Sequence, residues 1–241
     1  MCVDRTGLIY GLGAIGLGAV GFAVGDFAMQ WQPVPKDMPG REALAYLSGA
    51  LLVTGGLAAI WSRTAAWGAL ALGVMYGVWV LLLHLPNALT NKPNDIAAWN
   101  PVAELAALAV GGLVAWAVGR RPELAERGVR LFGVWPLIFG LAHFGYAKFT
   151  ASMVPGWLPA PLFWAYLTGV CHIAGGLALI CGMLPRLAAT GLAAMFAVFA
   201  LVLHLPRVIA APDVRIEWTM LFIAVSMTGA AWVVRQATPR T

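Results

Sequence analysis

The chain has 241 residues, of which 61% are hydrophobic and only 10% are charged. This composition excludes an ordinary soluble domain and a disordered segment, and it indicates an integral membrane protein in contact with the lipid bilayer. The formal net charge of +5 does not indicate a nucleic-acid partner, because the basic residues are spread along the chain and form no patch.

Eight apolar segments of roughly 17–20 residues are each long enough to cross a bilayer as a helix. Their apolar residues are continuous and do not alternate with polar ones, which favours helices over a β-barrel. The predicted spans are, in chain order, 8–24, 43–61, 65–85, 102–118, 129–146, 162–181, 187–205 and 218–234.

The first span contains Gly11-Leu12-Gly13-Ala14-Ile15-Gly16, which has the letters of a dinucleotide-binding fingerprint. That motif requires a preceding strand, whereas this one lies inside an apolar run, so these glycines are predicted to pack against another helix. A cleaved signal peptide is disfavoured because the apolar run is longer than usual and because Gly25 aligns with Gly145 in the second half.

Two connections, Asp26–Glu42 and Lys148–Pro161, are rich in proline and tryptophan. They are predicted to be re-entrant or surface-lying loops on the outer side of the membrane. The third and seventh spans approach the same side at the sequence Leu-His-Leu-Pro, residues 83–86 and 203–206. Because proline lacks a backbone N–H, it is predicted to end both helices there.

The two Leu-His-Leu-Pro sequences lie 120 residues apart, and the residues before them match at the same offset without a gap. Examples are Tyr46-Leu47 with Tyr166-Leu167 and Gly55-Gly56-Leu57-Ala58 with Gly175-Gly176-Leu177-Ala178. Such self-similarity indicates a tandem duplication. We therefore predict an all-α fold of two tandem four-helix bundles, residues 1–119 and 120–241, related by a parallel pseudo-twofold axis.

The distribution of arginine and lysine predicts which side of the membrane each loop faces. With the N-terminus inside, the inner segments hold nine basic residues and the outer segments hold six. Cytoplasmic loops carry the excess of basic residues, so both termini are predicted to be cytoplasmic. The predicted location is the cytoplasmic membrane.

All four histidines fall in or at the edge of predicted spans, where polar side chains usually face a bundle interior or a cavity. Each half is therefore predicted to build a polar pocket that opens outward. The second half has more ionisable groups, and His172 stands where the first half has Leu52, so the second half is expected to hold the working site. The predicted pocket residues are His143, Tyr166, Tyr46, His84 and Glu104.

Plainer explanations of these histidines stay open. A histidine at a helix end, such as His84 or His204, can cap backbone carbonyls or reach the interface without binding anything. A metal or haem site is disfavoured but not excluded, because no two histidines are three or four residues apart and no local ligand pair exists. No metal ligand is therefore assigned.

The second half resembles the DoxX family in the order of its motifs. These are Gly145-Tyr146-Ala147-Lys148-Phe149, Val154-Pro155, Leu158-Pro159, Tyr166-Leu167-Thr168-Gly169, Gly175-Gly176-Leu177 and His204-Leu205-Pro206. The resemblance covers residues 130–235 and, more loosely, 8–118. It implies four-helix membrane units related to the DoxD-type subunits of quinone-linked thiosulfate oxidoreductases. Two departures are His172, where the family commonly has glutamate, and Ala28, which aligns with Lys148.

The leading hypothesis is a quinone-linked membrane oxidoreductase component that acts on a small substrate, such as a reduced sulfur compound. In this hypothesis the catalytic residues are His172 and His204, which accept and relay protons, Lys148, which attracts an anion, and Glu217, which orients or relays. The sequence has no redox-cofactor motif, so a quinone or a redox partner protein would supply the electron chemistry. Two alternatives are a non-catalytic protein that binds or transports a lipid or small molecule, and a membrane anchor for a soluble redox partner. A homo-oligomer is compatible with all three.

Overall fold

A computed structural model describes residues 7–239, which fold into helices joined by short segments. The main helices are α1 Leu8–Val24, α2 Arg41–Ile60, α3 Ala65–Thr90, α4 Ile96–Ala117, α5 Pro122–Gly145, α6 Pro161–Cys181, α7 Pro185–Ala210 and α8 Arg215–Ala237. A 3₁₀ turn at Met29–Trp31 lies between α1 and α2, and a short helix at Ala147–Met153 lies between α5 and α6.

Seven of these helices, α2 to α8, are long and apolar enough to cross a membrane. α1 is apolar but has only 17 residues, which at 1.5 Å per residue gives about 26 Å against a hydrocarbon core of about 30 Å. The all-helical fold and the membrane character predicted from the sequence are confirmed for residues 7–239. The eighth predicted span depends on this shorter helix.

The prediction that proline ends the third and seventh helices is wrong. α3 and α7 pass through π turns at Val80–His84 and Phe199–His204, and each continues as an α-helix for 6 more residues. In a regular α-helix the proline ring would collide with the carbonyl four residues earlier, at Leu82 or Val202. Both of these residues lie inside the π turns, whose wider backbone makes room for the ring.

The main helices form one circuit, in which each helix packs against the next and α8 packs against α1. α4 and α8 also meet across the middle of this circuit. The first helix of each half therefore lies against the last helix of the other half: α1 against α8, and α5 against α4. The sequence predicted two bundles, whereas the described helices share one. Side chains from both halves can therefore line one site.

The glycines of α1 allow this helix to approach two others closely. A methyl group at Gly11 would lie 2.6 Å from the carbonyl oxygen of Gly56 in α2, and one at Gly13 would lie 2.1 Å from Oγ of Ser226 in α8. Both distances are shorter than any van der Waals contact, so only glycine permits this packing. The packing role predicted for these glycines is confirmed.

Asp26, directly after α1, joins three parts of the chain. Its carboxylate accepts hydrogen bonds from the backbone N–H of Phe27, from Arg41 at the start of α2, and from Arg215 at the start of α8 at 3.1 Å. Partial burial raises the pKa of Asp26, but these hydrogen bonds outweigh it and hold the pKa below its ordinary value. The ionised carboxylate thus ties the two halves together.

We expect the stability that Asp26 contributes to be lost in acid. A carboxyl group whose pKa is lowered by folding stabilises the protein above its unfolded pKa of about 3.9, and this stabilisation is lost as pH falls through the folded pKa. Thermal unfolding in detergent should therefore show Asp26→Asn to be less stable than wild type at pH 7, with the difference shrinking below about pH 4. Asp37→Asn, at an exposed position, is the matched control. An equal deficit at pH 7 and pH 3 would contradict this account.

Candidate functional site

A cavity of about 1330 Å³ lies among α5, α6, α7 and α8. We call the end of the bundle formed by segments 25–40, 91–95, 146–160 and 211–214 the histidine end. The end formed by segments 61–64, 118–121 and 182–184 is the arginine end. The cavity wall reaches from Trp157 at the histidine end to Leu184 at the arginine end, and most of its side chains are apolar. Its ionisable side chains are Glu104, His143, Tyr146, Cys171, His172, His204, Arg207 and Glu217.

His172, halfway along α6, is the most deeply placed of these groups, with 1% of its surface exposed. Its ring lies 4.9 Å, between ring centres, from the ring of His143 on α5. The other rings around it belong to Phe139 at 5.6 Å, Phe196 at 5.7 Å and Phe199 at 6.1 Å. Two imidazoles, from α5 and α6, thus meet beside an aromatic wall built from α5 and α7.

Hydrogen bonding distinguishes the two imidazoles. Nδ1 of His143 lies 2.7 Å from the carbonyl oxygen of Phe139. Because a carbonyl oxygen only accepts, Nδ1 donates, and Nε2 of a neutral His143 is left as an acceptor. Nδ1 of His172 is buried and makes no hydrogen bond of normal distance and angle within residues 7–239. Such an atom is costly to bury without a partner.

His204 ends the π turn of α7 and faces the same cavity nearer the histidine end. Its Nδ1 is also buried without a hydrogen-bond partner in the described part of the chain. One turn later Arg207 donates from Nε and Nη2 to the two carboxylate oxygens of Glu217, each at 2.7 Å. This bidentate pair joins α7 to the first turn of α8, where the helix dipole also favours a carboxylate.

Glu104 reaches the cavity from the first half of the chain. Its carboxylate accepts hydrogen bonds from Nε1 of Trp31 at 2.5 Å and from Asn100 at 3.0 Å. Nε2 of His84 in turn donates to the carbonyl oxygen of Trp31 at 2.9 Å. The sequence assigned Glu104 to a pocket of the first half, and the structure corrects this, because α4 packs against α5.

Four residues predicted at the site lie away from the cavity lining. Lys148 is exposed on the short helix between α5 and α6. Tyr46 stacks on Phe22 at 6.0 Å and Tyr166 stacks on Phe144 at 5.7 Å, so both tyrosines pack on the outside of the bundle. His84, the fourth such residue, is buried against Trp31 and meets the cavity only through it.

In the first half, larger or apolar side chains fill the equivalent positions. Leu52 replaces His172, while Tyr76 and Trp79 replace Phe196 and Phe199, and all three of these first-half residues are buried. Tyr76 and Trp79 pack edge to face at 5.2 Å. Aromatic packing thus occupies the space that the second half leaves open.

Sequence reasoning missed several side chains of the cavity. Arg207 was counted only as an outer basic residue, although it directly follows Leu-His-Leu-Pro and is paired with a predicted catalytic carboxylate. Trp31 and the three phenylalanines gave no signal, because tryptophan is common at membrane interfaces and phenylalanine is common in membrane helices. Among residues 7–239, no three His, Cys, Asp or Glu side chains are placed to hold a metal ion.

These features define a helical protein that crosses the membrane several times and encloses a cavity carrying histidines. Residues 129–205 match the model of the DoxX family, so the chain carries a DoxX domain over this region. The matched region runs from α5 to the end of the π turn in α7 and includes His143, His172 and His204. No curated protein and no solved structure matches the chain.

Proposed function

We propose that the cavity binds a quinone and that the protein is a quinone-linked component of a membrane oxidoreductase. The observation that carries this proposal is the environment of His172. A deeply buried imidazole with an unpaired Nδ1 lies beside a second imidazole and among three phenylalanine rings. A flat ring with polar oxygen atoms matches both features, since the ring stacks on the aromatic wall and the oxygens meet the imidazoles.

A bound quinone would accept two electrons and two protons. The electrons would come from a reduced sulfur compound, which is oxidised as the quinone is reduced. The imidazoles of His172 and His143 hold and move the protons at the quinone oxygens, because a neutral imidazole has one ring nitrogen that donates and one that accepts. His204, nearer the histidine end, relays protons to the mouth of the cavity. The phenylalanine rings exclude water from the headgroup.

The mouth of the cavity suits an anion. The Arg207 side chain is 41% exposed there, whereas its partner Glu217 is only 9% exposed, so the guanidinium offers free donors to the outside. Reduced sulfur oxyanions are negatively charged and would be attracted to it. Lys148, to which the leading hypothesis from the sequence gave this role, is exposed at the same end of the bundle.

Quinone titration of the purified protein tests the proposal directly. A benzoquinone without a side chain should quench the fluorescence of Trp157 and Trp164, which line the cavity, in a saturable way. Adding thiosulfate should then convert the quinone to quinol, followed by absorbance. Absence of saturable quenching would refute quinone binding, and binding without reduction would refute the oxidoreductase role.

A second candidate is a non-catalytic protein that binds or transports a lipid or small molecule. The observation that favours it is the long apolar part of the cavity wall, which no redox chemistry requires. Under this hypothesis the titration should show binding of several unrelated amphiphiles and no reduction of quinone by thiosulfate. The third hypothesis, an anchor for a soluble redox partner, stays a prediction.

We propose that the histidine end faces the outside and the arginine end the cytoplasm, following the excess of basic residues at the arginine end. Arg120 and Lys148 are exposed at opposite ends of the bundle. In a variant without native cysteines, Arg120→Cys and Lys148→Cys should react with an impermeant thiol reagent from opposite sides. Reaction of Lys148→Cys only from the cytoplasm would invert the proposed orientation.

A further inference from the structure

The apolar half of the cavity continues from His172 toward the arginine end as a crease between α6 and α7. We call it the α6–α7 crease, and its wall is formed by Ala174, Ala178, Leu184, Leu187 and Gly191. A methyl group added at Gly191 would meet nothing within 4 Å. The space beside this glycine is therefore open and could hold further atoms.

One change between the two halves explains why this crease is open. In the first half, a methyl group at Gly68 of α3 would lie 2.3 Å from the backbone nitrogen of Ala59 in α2, so that pair of helices needs glycine to pack closely. The residue 120 positions later is Ala188. Its methyl group hinders an approach of α7 to α6 as close as that of α3 to α2, and Ala188 lines the cavity.

We infer that the α6–α7 crease binds the apolar chain of a long-tailed membrane amphiphile, whose polar headgroup lies at His172 and His143. This inference rests on the proposed function for the identity of the headgroup, a quinone. From His172 to Met183 the crease follows 11 residues of helix and turn, or about 16 Å at 1.5 Å per residue. That is about half of the hydrocarbon core.

The position of the crease argues for a chain that comes from the bilayer. Met183, Leu184 and Leu187 are all exposed at its rim. Leu187 belongs to α7, a helix long and apolar enough to cross a membrane, and the other two lie just before it at the arginine end. A water-soluble substrate would gain nothing from this apolar path, whereas a lipid chain can slide sideways into it. The crease is continuous with the polar part of the same cavity, so one molecule can occupy both.

The test compares two quinones with the same ring, one without a side chain and one with a decyl chain. Wild type should bind the decyl compound at least tenfold more tightly. Gly191→Leu, which fills the crease, should remove this preference and leave the affinity for the tailless quinone unchanged. Ala71→Leu, at the exposed equivalent position on α3, is the matched control and should change neither affinity.

Photolabelling gives a second readout that does not depend on the quinone ring. A single-chain fatty acid with a diazirine at its tail should label the peptide around Met183–Gly191 in wild type and in Ala71→Leu, but not in Gly191→Leu. Equal affinities of wild type for the two quinones, or labelling unchanged by Gly191→Leu, overturns the crease as a chain site. If Gly191→Leu loses the tail labelling but no quinone binds to wild type, the α6–α7 crease is a chain site and only the quinone headgroup is refuted.

Discussion

Replacing His172 by leucine is expected to weaken quinone binding strongly while leaving the fold intact or more stable. The first half already carries leucine at the equivalent position, Leu52, and buries it. In the second half the leucine side chain would contact Phe139, Phe196 and Phe199. The substitution would also remove Nδ1 of His172, a buried nitrogen that makes no hydrogen bond. An unsatisfied buried group costs about 1–3 kcal/mol, so the unfolding temperature should stay equal or rise.

The same variant should lose at least tenfold in affinity for the tailless quinone, or about 1.4 kcal/mol, the scale of one good hydrogen bond. Fluorescence titration and thermal unfolding of one preparation measure both effects. His84→Leu is the matched control: it removes the hydrogen bond to the Trp31 carbonyl and should lower stability by about 1 kcal/mol with little loss of binding. If His172→Leu bound the tailless quinone as tightly as wild type, His172 would have only a packing role.

The second large effect is expected at the pair of Arg207 and Glu217, and it should be asymmetric. Arg207→Ala leaves the carboxylate of Glu217, which is 9% exposed, without its bidentate partner. Removing one partner of a buried ion pair costs about 3–5 kcal/mol, and we expect the lower end because this pair lies at the cavity mouth. Glu217→Gln leaves only Arg207, whose side chain is 41% exposed, and should cost less than about 1 kcal/mol.

Unfolding measurements on four proteins separate these effects: wild type, the two single variants and the double variant Arg207→Leu with Glu217→Leu. The double variant should fold better than Arg207→Ala, because two apolar side chains leave no charge unpaired. It should nevertheless lose the attraction for thiosulfate at the cavity mouth. Equal destabilisation by the two single variants would show that the burial of Glu217 does not determine how much stability is lost when the ion pair is broken.

The sequence by itself determined the helices and their membrane character. Their apolar runs are continuous and separated by polar, proline-rich or arginine-rich segments, so span and loop are distinguished by composition alone. The predicted span 8–24 agrees with α1 at both ends, and 162–181 agrees with α6 within one residue. The largest boundary errors are at the starts of α5 and α4, which begin at Pro122 and Ile96, before the predicted starts at 129 and 102. The ends of α3 and α7 were also predicted too early, because the π turns carry both helices past Pro86 and Pro206.

The importance of the second half could also be argued from sequence. The second half has His172 where the first half has Leu52, and apolar packing alone does not require a histidine there. His143, His172, His204 and Glu217 were predicted as site residues, and all four line one cavity. Their chemical roles stay predictions. Tyr46, Tyr166 and Lys148 were chosen because they enter from the same side, but sequence does not tell which face of a helix turns inward when every face is apolar.

Only the tertiary structure decided which side chains meet across the two halves. Glu104 and Trp31 belong to the first half, yet they line the cavity of the second half because α4 packs against α5. No periodicity in a single helix encodes this neighbour, since lipid and protein are equally apolar and leave no polar face to mark the interface. The α6–α7 crease likewise depends on tertiary contacts. Gly68 allows α3 to pack closely on α2, whereas the methyl group of Ala188, at the equivalent position on α7, hinders an equally close approach to α6.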